Sequence, residues 1–484
     1  MASTHGITYT PENITSSTTA RPTLQNVVDT SKSAGVTAEE AIPYFSYVHL
    51  YWVDLANIRR CRIMPAEYFR ELMRSRRPGV QIAKASLGLV YLMLAEGFSG
   101  RGEYLYTPDP RTMRVLRGVS AGDVLGVFGR FEEKDTRGRN GVEVALCPRT
   151  LLGRIIDEAK NAHATEFLVG FETEFIMLKS TNPVVPSNIH QWSSTSALLL
   201  GSPEANILTE IGDSLRASGI PLQLLHAEAA PGQYEVVTGP LSPLDAADTL
   251  IFTREIITHV AAKHGLHVTF APRPFMNSTG SSTHAHVSVH SPKSTKIADG
   301  LSTHERAFLA GVLEHLPAVA AFTLPTYASY KRVADGSWSG GTYVSYGTEN
   351  REAPVRLTNS ASPSSRRFEL RFIDGTANPH LALAAVLGSA LVGIRDNLVL
   401  ESQDCKEKSA AEMTGEERLA MGITKRLPLG VEEAAKNLRD DKVLTEVMGE
   451  DMVRAFLSVS KTLGEALRQE TDEGAQLTRL VEFY

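Results

Sequence analysis

The 484-residue sequence predicts an α+β protein, and three observations carry that prediction. Strand-like runs rich in β-branched and aromatic residues are mixed with stretches at helical spacing, without the regular period of βαβ units. A charged, glycine-containing segment, EEKDTRGRNGVE (132–143), divides a smaller N-terminal part from a longer second part. In that second part, acids, histidines and arginines recur at every other position of the strand-like runs, which is the spacing that puts side chains on one face of a sheet.

In chain order, residues 1–24 are Ser/Thr-rich and read as a flexible tail, and 24–42 has a weak helical pattern. YVHLYWVDL (47–55) reads as a buried strand, and RRCRIMPAEYFRELM as a helix continuing from it. Short strands are expected in 79–90, 104–108 and 124–131. Beyond the divide, helices are expected at 147–162, 204–219, 243–265, 304–321, 378–399, 431–441 and 446–470. Strands are expected at 166–178, 232–238, 266–272, 284–290, 342–346 and 366–373. The domain expectation is a tail at 1–24, a small domain at 25–135 and a catalytic domain at 136–484.

Composition narrows the class. With 42% hydrophobic and 21% charged residues the chain can bury a sizeable core. The net charge of −6 offers no basic field for nucleic acid and no polybasic membrane anchor. Cys61, Cys147 and Cys405 are far apart and unpaired in spacing, so neither a disulfide framework nor a zinc cluster is indicated. With no signal-like or membrane-length apolar run, a cytoplasmic protein is expected.

Within VGFETEF, Glu172 and Glu174 share one strand face while Phe171, Thr173 and Phe175 take the other. Two parallel carboxylates repel, and cations or arginines must answer them. HAEAAPGQYEVV adds Glu228 in a loop and Glu235 on a strand, with Pro231 and Gly232 bending the chain between them. In GSSTHAHVSVH, alternation places His284, His286, Ser288 and His290 together; His290, at the end, reads as a surface residue. RRFELRFIDGTANPH puts Arg367, Glu369 and Arg371 on a face opposite Phe368, Leu370 and Phe372. Arg332, Arg351 and Arg356 lie upstream, and the planar guanidinium fork suits phosphate and carboxylate. Five carboxylates and an imidazole are the donors that two Mg²⁺ or Mn²⁺ ions prefer. Each group alone also reads as a solvated acid or a structural ion pair; their co-occurrence favours a site.

The order GFETEF, HAEAAPGQYE, TGSSTHAH, SYKR, NREAPVR and RRFELRFIDGTANPH resembles the glutamine synthetase superfamily. The resemblance implies a β-grasp-like N-terminal domain, a catalytic funnel of antiparallel strands surrounded by helices, and a homo-oligomeric ring with active sites at subunit interfaces. It implies ATP and two Mg²⁺ or Mn²⁺ ions, with Glu174, Glu228 and Glu235 at the first ion and Glu172, His284 and Glu369 at the second. It places Arg332 and Arg371 on a glutamate-like acid, with Gly280 near its amino group, and Arg351, Arg356, Arg367 and His286 toward the phosphates.

The sequence also departs from the family. Ammonia-using members carry an acid in a PGYEAP-like stretch after SYKR. Here the stretch is ADGSWSGGTYVSYG, with Trp338 near that place. The aspartate of a GFDGSS-like loop is replaced in GVQIAKASLG by Ala83 and Lys84, and Thr279 stands where the family has Asn. Ammonium needs negative charge to bind and a base to become nucleophilic, so a substituted amine is the expected partner, with Trp338 as its apolar or cation-π wall. The alternative at that position is a packed loop tryptophan with Asp335 as the acid. Three functions follow: a ligase joining an acid to a substituted amine, a glutamine synthetase using ammonia, and a non-catalytic, glutamine-synthetase-like regulatory protein.

Overall fold

The computed structural model describes residues 45–119, 123–135, 141–190, 198–295, 300–336, 338–470 and 472–484. The tail at 1–24, the helical pattern at 24–42 and the centre of the 132–143 divide lie outside them.

The first part is built from β1 (Tyr47–Val53), β2 (Arg59–Pro65), α1 (Ala66–Arg74), β3 (Val80–Ala83), the two-residue strands β4 (Leu89–Val90) and β5 (Met93–Leu94), β6 (Glu103–Pro108), β7 (Arg114–Leu116) and β8 (Val124–Glu133). Its sheet runs β2-β1-β8-β6-β3 with β7 also on β8; β1 and β8 are parallel and the other pairs antiparallel. Half of the helix expected after β1 is therefore a strand. The cause is Asp54, which accepts from the backbone N–H groups of Ala56 (3.0 Å) and Ile58 (2.9 Å) and pairs with Arg60 at 2.7 Å. That turn, with Asn57 at φ 64°, folds Arg59–Pro65 back along β1 before α1 starts.

The second part follows as α2 (Pro148–His163), β9 (Glu166–Thr181), β10 (Val184–Pro186), α3 (Pro203–Ala217), β11 (Leu222–Ala227), β12 (Gln233–Leu241), α4 (Pro243–Lys263), β13 (His267–Thr269), β14 (Ala285–His290), α5 (Thr303–Thr323), α6 (Tyr327–Arg332), β15 (Tyr346–Thr348), β16 (Val355–Thr358), β17 (Arg367–Leu370) and α7 (Pro379–Asp396). The helices α8 (Gly415–Ala420), α9 (Val431–Asp440), α10 (Lys442–Met448), α11 (Glu450–Arg468) and α12 (Glu473–Phe483) complete it. The helix expected at 446–470 is interrupted at Gly449, whose φ of 87° helical residues do not adopt. The expected α+β class holds, with the large sheet forming a half-barrel ordered β11-β12-β9-β14-β17-β16-β15.

One face of that sheet is apolar and is covered by helices. Phe171 and Phe175 of β9 and Phe368 of β17 are buried, and Phe368 stacks on Phe308 of α5 with ring centroids 5.1 Å apart. Each such ring contributes about 1.5–3 kcal/mol by leaving water. Behind it α5 crosses α7 closely enough that a Cβ on Gly393 would lie 2.1 Å from the Ala307 carbonyl oxygen, which explains glycine there. The two parts are tied by a buried polar cluster. Arg149 of α2 donates to both Asp248 oxygens on α4 (3.0 and 2.9 Å) and to the Gly129 carbonyl of β8 (2.9 Å), and His380 of α7 meets the same carboxylate at 2.9 Å. The helices thereby hold the first sheet fixed against the second.

Asp248→Ala strands a buried guanidinium. It is expected to lower stability by about 3–5 kcal/mol, read as a shift of the denaturant unfolding midpoint.

Candidate functional site

The large sheet's ladder brings residues distant in sequence onto its other face. Glu235 of β12 stands directly opposite Glu174 of β9. On the other side of β9, His286 of β14 pairs with Gly170, and on β17 it pairs with Glu369, which in turn faces Arg356 of β16. Because alternate residues share a face, Glu172, Glu174, Glu235, His286, Glu369 and Arg356 all project into one concavity, with His284 and Arg371 at the strand ends. The phenylalanines between them pack behind.

Two sets of donor atoms are drawn together there, each set within 4.8 Å: Glu172, His284 and Glu369, and His226, Glu228 and Glu235. In the first set His284 Nδ1 lies 3.0 Å from Glu172 Oε2 and 3.5 Å from Glu369 Oε1, and His286 Nε2 lies 2.8 Å from Glu172 Oε1. Glu369, 0% exposed, is also met by Arg371 and, at 2.9 Å, by Arg356 Nη1. Burial opposes ionisation of Glu172, yet hydrogen bonds with His284 and His286 hold it well below the usual carboxylate range. Burial, reinforced by Arg371, pushes His284 down to about 4, so it is a neutral imidazole at physiological pH. Its Nε2 is buried without a hydrogen-bond partner.

In the second set Glu228 follows β11 and Glu235 lies on β12, across the turn that Pro231 and Gly232 make. Gly232, at φ 67°, has no room for a side chain, since a Cβ would lie 2.7 Å from the Met177 carbonyl oxygen. His226 Nε2 is 3.1 Å from Glu235 Oε1. Glu174 faces the same region, but its oxygens receive Gln233 Nε2 (2.9 Å), the Ser282 N–H (3.1 Å) and the Ser282 hydroxyl. Burial, with Glu235 and Glu228 close by, pushes Glu174 up to about 8; burial pushes Glu235 up to about 6. Carboxyls this reluctant to ionise are short of positive charge. The donor sets and the raised carboxyls together fit a pair of hard divalent cations.

The arginines close the concavity. Arg371 donates to the carbonyls of Arg351 (3.1 Å) and Trp338 (2.5 Å), and buried Arg332 donates to the Arg371 carbonyl at 3.0 Å. Gly280 lies against Arg332, and its carbonyl accepts from Gln233 at 3.0 Å. Arg356 reaches Glu349 at 2.5 Å as well as Glu369, and Arg367 Nε donates to His286 Nδ1 at 3.1 Å. Arg351 is exposed and acts on Glu228 through its charge. Trp338 is 56% exposed, whereas Asp335 is bound by Thr342 (2.7 Å) and Arg426 (2.6 Å) as a brace of its loop. Lys84 pairs with Glu133 at 2.9 Å within the first sheet, and the Thr279 hydroxyl is buried without a partner.

Sequence patterning passed over His226, Gln233 and Ser282. His226 sits on an edge strand without alternation, and the other two act through hydrogen bonds that only the ladder reveals. The one available signal was the proximity of His226 to Glu228.

Residues 145–475 match the family described as glutamine synthetase, catalytic domain. The chain belongs to the glutamine synthetase family. It is 35% identical over 461 residues to Protein fluG of Emericella nidulans, covering 91% of this chain and 49% of that protein, so it spans about half of that relative's length. It is 32% identical over 340 residues to gamma-glutamylpolyamine synthetase GlnA3 of Streptomyces coelicolor, covering 68% of this chain and 71% of that protein. Among solved structures, the GmaS/ADP complex shares the fold with a TM-score of 0.75 at 23% identity, over 92% of this chain and 100% of the other. Glutamine synthetase enzymes use ATP and divalent metal ions, and family membership implies small-molecule substrates. No helix among the described residues is long and apolar enough to cross a membrane.

The raised groups set a pH dependence. Glu174, ordinarily near 4.5, binds its proton in the folded state up to about 8, so its contribution to stability falls as pH rises between those values. Protonated His226, raised to about 9 by its hydrogen bond with Glu235, contributes stability that is full below 6.5 and lost toward 9. Cation-free protein is therefore expected to lose thermal stability from about pH 6.5 to 8. Saturating Mg²⁺ is expected to flatten that slope, as followed by calorimetry.

Proposed function

We propose that this chain is an ATP-dependent ligase that phosphorylates the side-chain carboxylate of glutamate, or a similar acid, and joins it to a substituted amine. The observation that carries the reading is the convergence of two His/Glu donor sets and a ring of arginines in one concavity. In this reading Glu174, Glu228 and Glu235 line the first cation seat, and Glu172, His284 and Glu369 form the second. Bound there, divalent cations would neutralise phosphate charge.

The chain's own groups do the rest. Arg332 and Arg371 clamp the acid's carboxylates, with the Gly280 backbone near its amino group. Arg351, Arg356, Arg367 and His286 take the phosphate oxygens, so that the acid oxygen lies in line with the γ-phosphorus. The acid oxygen then forms its bond to phosphorus as ADP leaves; the amine attacks the acyl carbon, phosphate departs and the amine proton is released. Buried Arg332, Arg371 and Glu369 would limit water around the acyl phosphate.

The preference for a substituted amine rests on the loop after α6. Asp335, the one acid between Arg332 and Glu349, is held in a brace, and Trp338 offers exposed ring surface whose backbone carbonyl is fixed by the substrate-side Arg371. The identity to a gamma-glutamylpolyamine synthetase supports the same choice. The mixed first sheet supports a β-grasp-like domain at 25–135 followed by a catalytic domain at 136–484, and family membership supports a ring with sites between subunits.

Given Mg²⁺, ATP and glutamate, polyamines or alkylamines are expected to drive phosphate release better than ammonium, with the amide identified by mass. Equal release with ammonium favours a glutamine synthetase, and none with any amine a non-catalytic protein. Glu369→Gln, nearly isosteric but uncharged, is expected to cut phosphate release by roughly a hundredfold while the circular dichroism spectrum stays unchanged.

A further inference from the structure

We propose that His226 gives the first cation seat a nitrogen ligand, so that each of the two seats in this chain is a His/Glu/Glu set; the inference rests on the two-cation reading above. Four observations lead to it. His226, Glu228 and Glu235 bring their donor atoms within 4.8 Å of one another, as Glu172, His284 and Glu369 do on the other side of β9. The His226 ring is oriented, because Nδ1 lies 3.0 Å from the Ala227 carbonyl oxygen. A carbonyl accepts only, so Nδ1, itself 3.7 Å from Glu228 Oε1, donates to it, and Nε2, 3.1 Å from Glu235 Oε1, is the nitrogen a cation would meet on displacing its proton. A backbone carbonyl fixing one imidazole nitrogen while the other faces the ion is how metal-ligating histidines are held.

The fourth observation concerns Glu174. Its two oxygens already receive three protein donors, from Ser282 and Gln233, whereas Glu228 has one donor, the Ala229 N–H at 3.1 Å. Glu174 lines the seat across the ladder from Glu235 with most of its acceptor sites engaged, and His226 supplies the position on the open side. The charges facing His226 are those of Glu235, Glu228 and, beyond them, Glu172 and Arg351. An imidazole at both seats shifts preference from Mg²⁺ toward Mn²⁺ and Co²⁺, which accept nitrogen more readily than Mg²⁺ does.

The test is pulsed electron paramagnetic resonance of the full chain loaded with Mn²⁺, in which a coordinated imidazole nitrogen modulates the echo decay. Wild type is expected to bind two Mn²⁺ with nitrogen coupling at both. His226→Gln is expected to keep both ions and the wild-type circular dichroism spectrum, and to lose about half of the nitrogen modulation. Its preference for Mn²⁺ over Mg²⁺ should fall by ~10-fold, the size of effect seen when a ligand's surroundings are altered. The reciprocal His284→Ala variant should retain the modulation that His226→Gln loses. Two bound ions with modulation unchanged in His226→Gln overturns the inference and leaves the two-cation reading standing. Failure of wild type to bind two Mn²⁺ overturns that reading and the inference together.

Discussion

Carboxylates gathered on the inner face of one sheet repel each other, and the rest of the architecture answers that repulsion. Removed from water, each would rather take up a proton than keep its charge, as the raised Glu174 and Glu235 show. Where arginine and histidine come close, at Glu172 and Glu369, the same burial is overcome and the charge persists. The concavity is thus divided into a half already balanced by protein cations and a half that is still acidic. In the proposed reading, a nucleotide arriving with its divalent ions would meet both halves.

What holds the acids in place is apolar and lies on the opposite side of the same strands. Phe171, Phe175 and Phe368 are pinned by α4, α5 and α7, so Glu172, Glu174 and Glu369 cannot turn away without exposing a ring or slipping the ladder by one residue. The close α5/α7 crossing at Gly311 and Gly393 and the Arg149/Asp248 cluster extend that rigidity to the first sheet. Rigidity of this kind suits phosphoryl transfer, in which position and charge do most of the work.

The site was legible in the sequence where its chemistry follows strand periodicity. Glu172/Glu174, His284/His286 and Arg367/Glu369/Arg371 each announce a shared face by alternation alone. Which strands lie next to each other is a non-local matter, settled by pairing across more than a hundred residues, as with His286 and Gly170. Hence Arg356, on a four-residue strand, and His226, on an edge strand, drew weaker signals or none. In the first part, the Asp54 turn replaced the first half of an expected helix by β2, because side-chain acceptance of two backbone N–H groups outweighed helical spacing.

The central claim is that two cation seats lie side by side within one concavity. It is tested most directly by anomalous diffraction at the manganese edge from crystals grown with Mn²⁺ and a non-hydrolysable ATP analogue. The account predicts two anomalous peaks per chain, one bounded by Glu172, His284 and Glu369 and the other by Glu228 and Glu235. A single peak, or peaks away from these residues, would contradict it.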